Sequence, residues 1–197
     1  MAAPDQPSLD DLVRRIAACR VCDLPHEPRP VVRVHRDARI LIAGQAPGRL
    51  VHETGLPWND PSGDRLRDWM GLDRDTFYDQ RNIAVAAMGF CYPGTVKGAD
   101  LPPRKECAPL WRAPLLAELK SVRLTLLVGS YAQKWHLRER AGRSLLETVR
   151  GWRSHGPAFI PLPHPSWRNS GWLMRNPWFA EELIPVLRVR VAEALAA

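Results

Sequence analysis

The stretch that decides the fold is residues 39–66, RILIAGQAPGRLVHETGLPWNDPSGDRL. It opens with an apolar run, ILIA, which is typical of a strand buried on both faces of a sheet. Gly44, Pro47 and Gly48 end this strand abruptly, because glycine tolerates positive φ and proline has no N–H for a ladder. Open α/β sheets bind their ligands at the tips of such strands, so the sequence predicts a ligand site here.

Outside this stretch, strand-like apolar runs alternate with amphipathic helical patterns. Three further strands are predicted, at residues 82–88, 124–128 and 158–162. Helices are predicted after Ser8 or Asp10 and at residues 63–70, 110–119, 131–137 and 179–194, the last with a kink at Pro185. Alternating strands and helices predict a three-layer α/β/α sandwich around a central, mostly parallel four-stranded sheet. No linker or composition shift divides the chain, so we expect residues 1–197 to form one domain.

Two loops rich in Gly, Pro, His and Asp are predicted to form the walls of one site. The first, PWNDPSG at residues 57–63, places an aromatic ring and a carboxylate before a helix. Its Asp60 is suited either to a catalytic role or to capping the N-terminus of that helix. The second, PHPSWRN at residues 163–169, follows the last strand, and His164 between two prolines suits function better than a core position. The other histidines show no ligand spacing and are expected at the surface: His26, His35, His52, His136 and His155.

The charge and hydrophobicity of the chain indicate which kinds of binding partner to expect. The chain has 28 Lys and Arg against 21 Asp and Glu, a net charge of +7, which favours an anionic partner and above all nucleic acid. No apolar run reaches the length of a membrane span, so no membrane partner is expected. The first residues, MAAPDQPSLDDLV, lack the apolar core of a secretory signal, and we therefore expect a cytoplasmic location.

The four cysteines of the chain predict a metal site. Cys19 and Cys22 form a C-x2-C, whereas Cys91 and Cys107 lie in Pro- and Gly-rich loops. Four thiolates complete a tetrahedral site, and a reducing compartment disfavours structural disulfides. Zinc and a [4Fe–4S] cluster both accept four thiolates, so the spacing of the cysteines does not distinguish these two metal centres. A third alternative is that the cysteines are buried, reduced and inert.

The loops and the cysteines together resemble the uracil-DNA glycosylase superfamily, especially its iron–sulfur branches, families 4 and 5. GQAPG at 44–48 looks like the first motif, GEAPG or GLAPA, and PWNDPSG is similar to the family 5 loop PF-x-G-D-x-S-G. HPSWRN at 164–169 matches the second motif, HPS. Cys91, PPR at 102–104 and Cys107 resemble the segment that holds the cluster together with the C-x2-C. The resemblance is closest to family 5 in the second loop, and the alternative is that the chain belongs to a separate minor class of the superfamily.

The resemblance implies a monomeric DNA-repair glycosylase that flips uracil out of single- or double-stranded DNA and hydrolyses its N-glycosidic bond, leaving an abasic site. It implies that Asp60 and His164 are catalytic and that the four cysteines hold a [4Fe–4S] cluster, with zinc as the alternative. The residues expected to contact the base are Gln45, Ala46, Trp58 and Asn59. The residues expected to contact DNA are Ser62, Ser130, Ser166, Trp167, Arg168 and Asn169.

Departures from the family pattern leave two other hypotheses. Ala46 stands where family 1 has Asp in GQDPYH, and Gln45 stands where family 4 has Glu. Family 5 also has alanine in this motif and uses the Asp of its second loop, which favours Asp60. The Asn that many members carry after the second strand is absent from residues 86–88, AAM. The chain could therefore be a DNA-binding iron–sulfur protein without activity, or act mainly on hypoxanthine or xanthine.

Overall fold

A computed structural model of the chain describes residues 8–196. The strands that it contains are β1 (Ile40–Ala43), β2 (Ile83–Val85), β3 (Thr95–Val96), β4 (Ala99–Asp100), β5 (Leu124–Val128) and β6 (Phe159–Leu162). Four of them form a parallel sheet in the order β2–β1–β5–β6, and β3 pairs with β4 in a separate antiparallel hairpin. The predicted α/β fold with a central four-stranded, parallel sheet is confirmed.

Helices connect these strands. They are α1 (Leu9–Ala17), α2 (Arg49–Thr54), α3 (Pro61–Met70), α4 (Arg74–Tyr78), α5 (Cys107–Glu118), α6 (Ser130–Leu137), α7 (Leu145–Arg150), α8 (Ser170–Arg175) and α9 (Ile184–Ala196). Ser8 caps the first of them, since its hydroxyl accepts a hydrogen bond from the Asp11 N–H. Among the described residues, no helix is long and apolar enough to cross a membrane.

Helices cover both faces of the sheet because its strands are apolar on both faces. In β1, Ile40 and Ile42 belong to a core that also contains residues of α3 and α9, whereas Leu41 belongs to a core shared with α1 and α5. All the residues of β1, β2 and β5 are buried. The parallel strands end at the same edge, so the chain segments that follow Ala43, Val85, Val128 and Leu162 lie on one side of the molecule.

The structure contains four helices of five or six residues that the sequence analysis did not predict, α2, α4, α7 and α8, and it differs from the prediction in three further segments. β2 ends at Val85 instead of continuing to residue 88, although Met88 and Gly89 still donate hydrogen bonds to the Gly44 and Gln45 carbonyls. The segment after Gly94, predicted as a loop, contains the β3–β4 hairpin. The predicted kink near Pro185 takes the form of a π-helical turn directly before α9, where proline lacks the N–H of a regular helical bond.

The prediction that five histidines lie at the surface is wrong for most of them. His155 is buried at 4% exposure, and His136 is half-buried. His26 and His52 pack against each other with ring centroids 4.6 Å apart, and both contact the Tyr92 ring. No periodicity in the sequence around His26 or His52 predicts this packing, so burial of their two rings depends on tertiary contacts.

Candidate active site

One pocket at the carboxyl edge of the sheet gathers most of the residues predicted to act on a substrate. Its walls come from the loop after β1, the loop before α3, the tip of β2 and the loop after β6. The side chains and backbone segments that define it are Gln45, Ala46, Trp58, Asp60, Ala87, Asp100 and His164. Five of these were predicted from sequence as catalytic or base-contacting; Ala87 and Asp100 were not.

His164 is held in a defined tautomer. The Ser166 N–H donates to His164 Nδ1 at 3.2 Å, so the proton of the neutral ring lies on Nε2, which is left as a donor. Burial lowers the pKa of His164, while the carboxylates of Asp60 and Asp100 act in the opposite direction. The Asn169 amide donates to the His164 carbonyl at 2.7 Å and braces the loop. The ring is therefore a neutral, oriented hydrogen-bond donor.

Asp60 both caps a helix and lines the pocket. Its Oδ1 accepts a hydrogen bond from the Gly63 N–H at 2.9 Å, the bond expected of an N-cap. Within residues 8–196, its second oxygen accepts no hydrogen bond. The two interpretations of Asp60 are thus compatible, because one oxygen serves the helix and the other is available to a ligand.

Trp58 has a strained backbone that the surrounding residues stabilise. Its φ is 59°, a left-handed conformation that is unfavourable for a bulky residue by about 1–3 kcal/mol. Its carbonyl accepts hydrogen bonds from Arg67 Nη1 at 3.1 Å and from the Tyr78 hydroxyl at 3.0 Å. The indole lies in the pocket with its centroid 5.5 Å from that of His164. Strain at a residue facing a pocket is typical of a functional site.

Gly63 permits this arrangement, and its replacement by alanine is expected to destabilise the protein. A Cβ at Gly63 would overlap the carbonyl oxygen of Trp58. We expect Gly63→Ala to lower the free energy of unfolding by about 1–3 kcal/mol, measured by urea denaturation. Gly171→Ala is the matched control, because a Cβ there meets only the end of the Arg175 side chain, at 3.9 Å. Equal stability of the two variants would contradict the assigned role of Gly63.

The loop after β1 offers backbone donors to a ligand. In the part of the chain that the structure describes, the N–H groups of Gln45 and Ala46 donate no backbone hydrogen bond, and both residues line the pocket. The Gln45 side chain instead donates to the Leu101 carbonyl at 3.1 Å. Gln45 therefore presents its backbone to the pocket and uses its side chain to hold a neighbouring segment.

That neighbouring segment is the β3–β4 hairpin, which the sequence interpretation missed as a part of the site. It brings Asp100 to the pocket, close to Gly48. Arg168 fixes it on the other side by donating to the Gly98 carbonyl. Gly94 and Gly98, both with positive φ, were the available turn signals, but two-residue strands have too little periodicity to identify.

None of the residues predicted to contact DNA lines the pocket. Trp167 is 73% exposed, and the guanidinium of Arg168 lies 5.7 Å from its ring centroid. Ser166 accepts from the Arg168 N–H, Ser62 is half-buried in the first turn of α3, and Ser130 is exposed at the start of α6. Asn59, predicted to contact the base, accepts a hydrogen bond from Arg74 at 2.9 Å and lies outside the pocket lining. Their contacts with nucleic acid stay predictions.

A second pocket is lined by the four cysteines. Cys19, Cys22, Cys91 and Cys107 all face it, and none forms a disulfide. Burial raises the pKa of Cys91 to about 12 and that of Cys107 to about 11; the Phe90 N–H donates to Cys107 Sγ at 3.4 Å. Within residues 8–196, no group of His, Cys, Asp or Glu side chains is arranged to hold a single metal ion. The four cysteines therefore share one pocket, and the structure by itself does not identify a metal there.

Comparison with known families agrees with this architecture. The family model of the uracil DNA glycosylase superfamily matches residues 32–188, which include all four strands of the central sheet and every residue that lines the pocket except Val31. The chain belongs to the uracil DNA glycosylase superfamily. In this chain, Asp60 lies in the loop directly before α3 and His164 lies in the loop directly after β6. Both residues line the same pocket, as expected from the two loop motifs.

Proposed function

We propose that this protein is a DNA glycosylase that releases uracil from DNA. The observation that carries the proposal is the meeting of a neutral donor, His164, a free carboxylate oxygen of Asp60 and an indole, Trp58, in one pocket. Membership of the superfamily supports the reaction class and DNA as the partner. The choice of uracil as the substrate base rests on the groups that line the pocket.

Base recognition begins with a nucleotide turned out of the stack. Trp58 supplies an aromatic face for the extruded pyrimidine, and stacking of this kind contributes about 1–3 kcal/mol. The unpaired N–H groups of Gln45 and Ala46 can donate to a pyrimidine carbonyl. Together they bind a flat base with carbonyl acceptors, which describes uracil.

Bond cleavage develops negative charge on the base and positive charge on the sugar. His164 Nε2–H donates to O2 of the departing uracil, and this bond strengthens as the oxygen becomes anionic. A neutral imidazole suits this role, because the interaction grows only towards the transition state. Burial, which keeps the ring neutral by lowering its pKa, therefore serves the chemistry.

Asp60 acts on the sugar side. Its free oxygen orients a water molecule towards C1′ and stabilises the oxocarbenium-like sugar. The water oxygen bonds to C1′ as the C1′–N1 bond breaks; the water proton passes to the free oxygen of Asp60 and from there to solvent, and the uracil anion takes up a proton, leaving free base and an abasic site. Asp60 stays anchored during these steps by its bond to the Gly63 N–H.

DNA binding is assigned to the rim of the pocket. The net charge of +7 favours a polyanion, and the exposed Trp167 beside Arg168 is placed to fill the gap left by an extruded base. Ser62, Ser130, Ser166 and Asn169 are the remaining candidates for DNA contact. The proposal includes action as a monomer in the cytoplasm.

We further propose that the four cysteines hold a [4Fe–4S] cluster. Their side chains line one cavity together with residues 89–91, and four thiolates are the donor set that a [4Fe–4S] cluster requires. When bound, the cluster cross-links the N-terminal segment to α5 and stabilises the fold. Zinc is the alternative, and absorbance with metal analysis of the purified protein separates the two.

The test of the activity is release of uracil from an oligonucleotide, detected by alkaline cleavage at the abasic site. We expect cleavage of uracil-containing strands and none of thymine controls. Ala87, which stands at the tip of β2 without a polar side chain, favours testing hypoxanthine and xanthine in parallel. Salt-sensitive DNA binding without release of any base would overturn the proposal in favour of a DNA-binding protein of this fold.

A further inference from the structure

Arg112 in α5 is a fully buried cation without a carboxylate partner. Its side chain is 1% exposed, and within residues 8–196 it forms no ion pair with an Asp or Glu. Removing a charged group from water costs several kcal/mol unless an opposite charge compensates it. By contrast, the other buried arginine, Arg67, pairs with Asp64.

The partners of Arg112 are all uncharged. Nη1 donates to the carbonyls of Ala86 at 2.9 Å and Ala87 at 3.1 Å. Nε donates to His136 Nε2 at 3.1 Å, and the guanidinium lies 5.2 Å from the Trp135 ring centroid. Burial and the charge of Arg112 lower the pKa of His136 to about 3, so this ring accepts as a neutral base. Nη2 shares the His136 Nε2 acceptor at 2.6 Å, so every acceptor around the guanidinium is uncharged and its charge is left uncompensated.

The cysteine pocket is the available source of negative charge. Cys107 begins the helix that carries Arg112, and it packs in the same buried cluster as Ala86, whose carbonyl accepts from Arg112. A negative Cys107 would raise the pKa of Arg112, which burial lowers to about 10. Zinc or an oxidised [4Fe–4S] core carries two positive charges and four thiolate ligands, so either centre has a net negative charge. The charge of Arg112 therefore suits the protein with metal bound.

We propose that Arg112 is the buried counter-ion of the metal centre held by Cys19, Cys22, Cys91 and Cys107, and that it links this centre to the wall of the base pocket. Arg112 makes this link by hydrogen bonds to the Ala86 and Ala87 carbonyls: Ala87 lines the base pocket, and Cys91 follows it four residues later along the chain. Arg112 is thus a positioning residue. The inference rests on the proposed metal centre and is independent of glycosylase activity.

The test compares Arg112→Met with the wild type in metal-loaded and chelator-treated protein. In the loaded form we expect the Tm to fall by about 2–4 °C or more beyond any change in the metal-free form, because only the loaded form loses a compensating charge pair. We also expect metal release to a chelator about tenfold faster, and Arg112→Lys, which keeps the charge, to release metal more slowly than Arg112→Met.

Arg67→Met is the matched control: it removes a buried arginine whose partner is Asp64, so its effect on Tm should be the same with and without metal. Equal Tm shifts for Arg112→Met in both forms, or unchanged metal release, would overturn the inference. So would failure of Arg112→Met to fold when metal-free. If the wild-type protein binds neither iron nor zinc, both the proposed metal centre and the role of Arg112 are wrong. The proposed uracil release would not be affected, because the oligonucleotide cleavage assay tests it separately.

Discussion

Replacement of Asp60 by asparagine is expected to slow uracil release about 10²–10⁴-fold, the usual loss when a general base is removed. Asparagine keeps the helix cap, because its side-chain oxygen can still accept from the Gly63 N–H, but it lacks the negative charge that faces the sugar. Single-turnover rates on a uracil-containing oligonucleotide, with enzyme in excess, measure the chemical step directly. The melting temperature should stay near that of the wild type.

The pocket itself supplies the control for this prediction. Asp100 also lines it and also acts on the His164 charge, but it lies on the hairpin and caps no helix. We expect Asp100→Asn to reduce the rate less than Asp60→Asn does. If Asp100→Asn shows the larger loss, the hairpin carboxylate is the one that acts on the sugar, and the assignment of Asp60 is wrong.

Replacement of His164 by leucine is expected to reduce the rate about 10²–10³-fold, which corresponds to about 2.7–4 kcal/mol for loss of an oxyanion donor. The donor acts mainly in the transition state, so kcat should fall while the KM for DNA changes little. His164→Gln should recover part of the rate, because a side-chain amide can donate to the same oxygen.

The pH dependence provides an independent check on His164. Its pKa lies below the ordinary value of about 6.5, so the wild-type rate should show no change from titration of this ring above that pH. A rate that falls as the pH rises from about 6.5 to 8, and loses that dependence in His164→Gln, would show that the charged imidazole is the active form. A His164→Leu variant with the wild-type rate would remove His164 from the mechanism.

Local sequence identified the frame of the site well. The ILIA run of β1 is apolar at every position and the LTLLV run of β5 at every position but Thr125, a pattern typical of strands covered on both faces. Parallel strands place their carboxyl ends together, so the loops after β1 and β6 had to meet. The match to the superfamily confirmed the family; its iron–sulfur subdivision and the roles of individual residues remain proposals.

Other features depended on contacts between residues far apart in sequence. Arg112 and His136 are separated by 24 positions, and nothing in either neighbourhood predicts a buried guanidinium on a neutral imidazole. The place of Asp100 depends on Gln45 and Arg168, which hold the two ends of its hairpin. Neither arrangement leaves a periodic or compositional signal.

The sequence by itself therefore determined the layered α/β fold, the edge of the sheet that binds a ligand and the two loops that face each other there. Hydrophobic periodicity and the φ preferences of Gly and Pro are local properties that a chain carries in any context. Only the tertiary structure decided how Trp58 is held in its strained conformation, which oxygen of Asp60 is free and where the charge of Arg112 is buried. Those outcomes depend on packing and desolvation, which exist only once distant segments have come together.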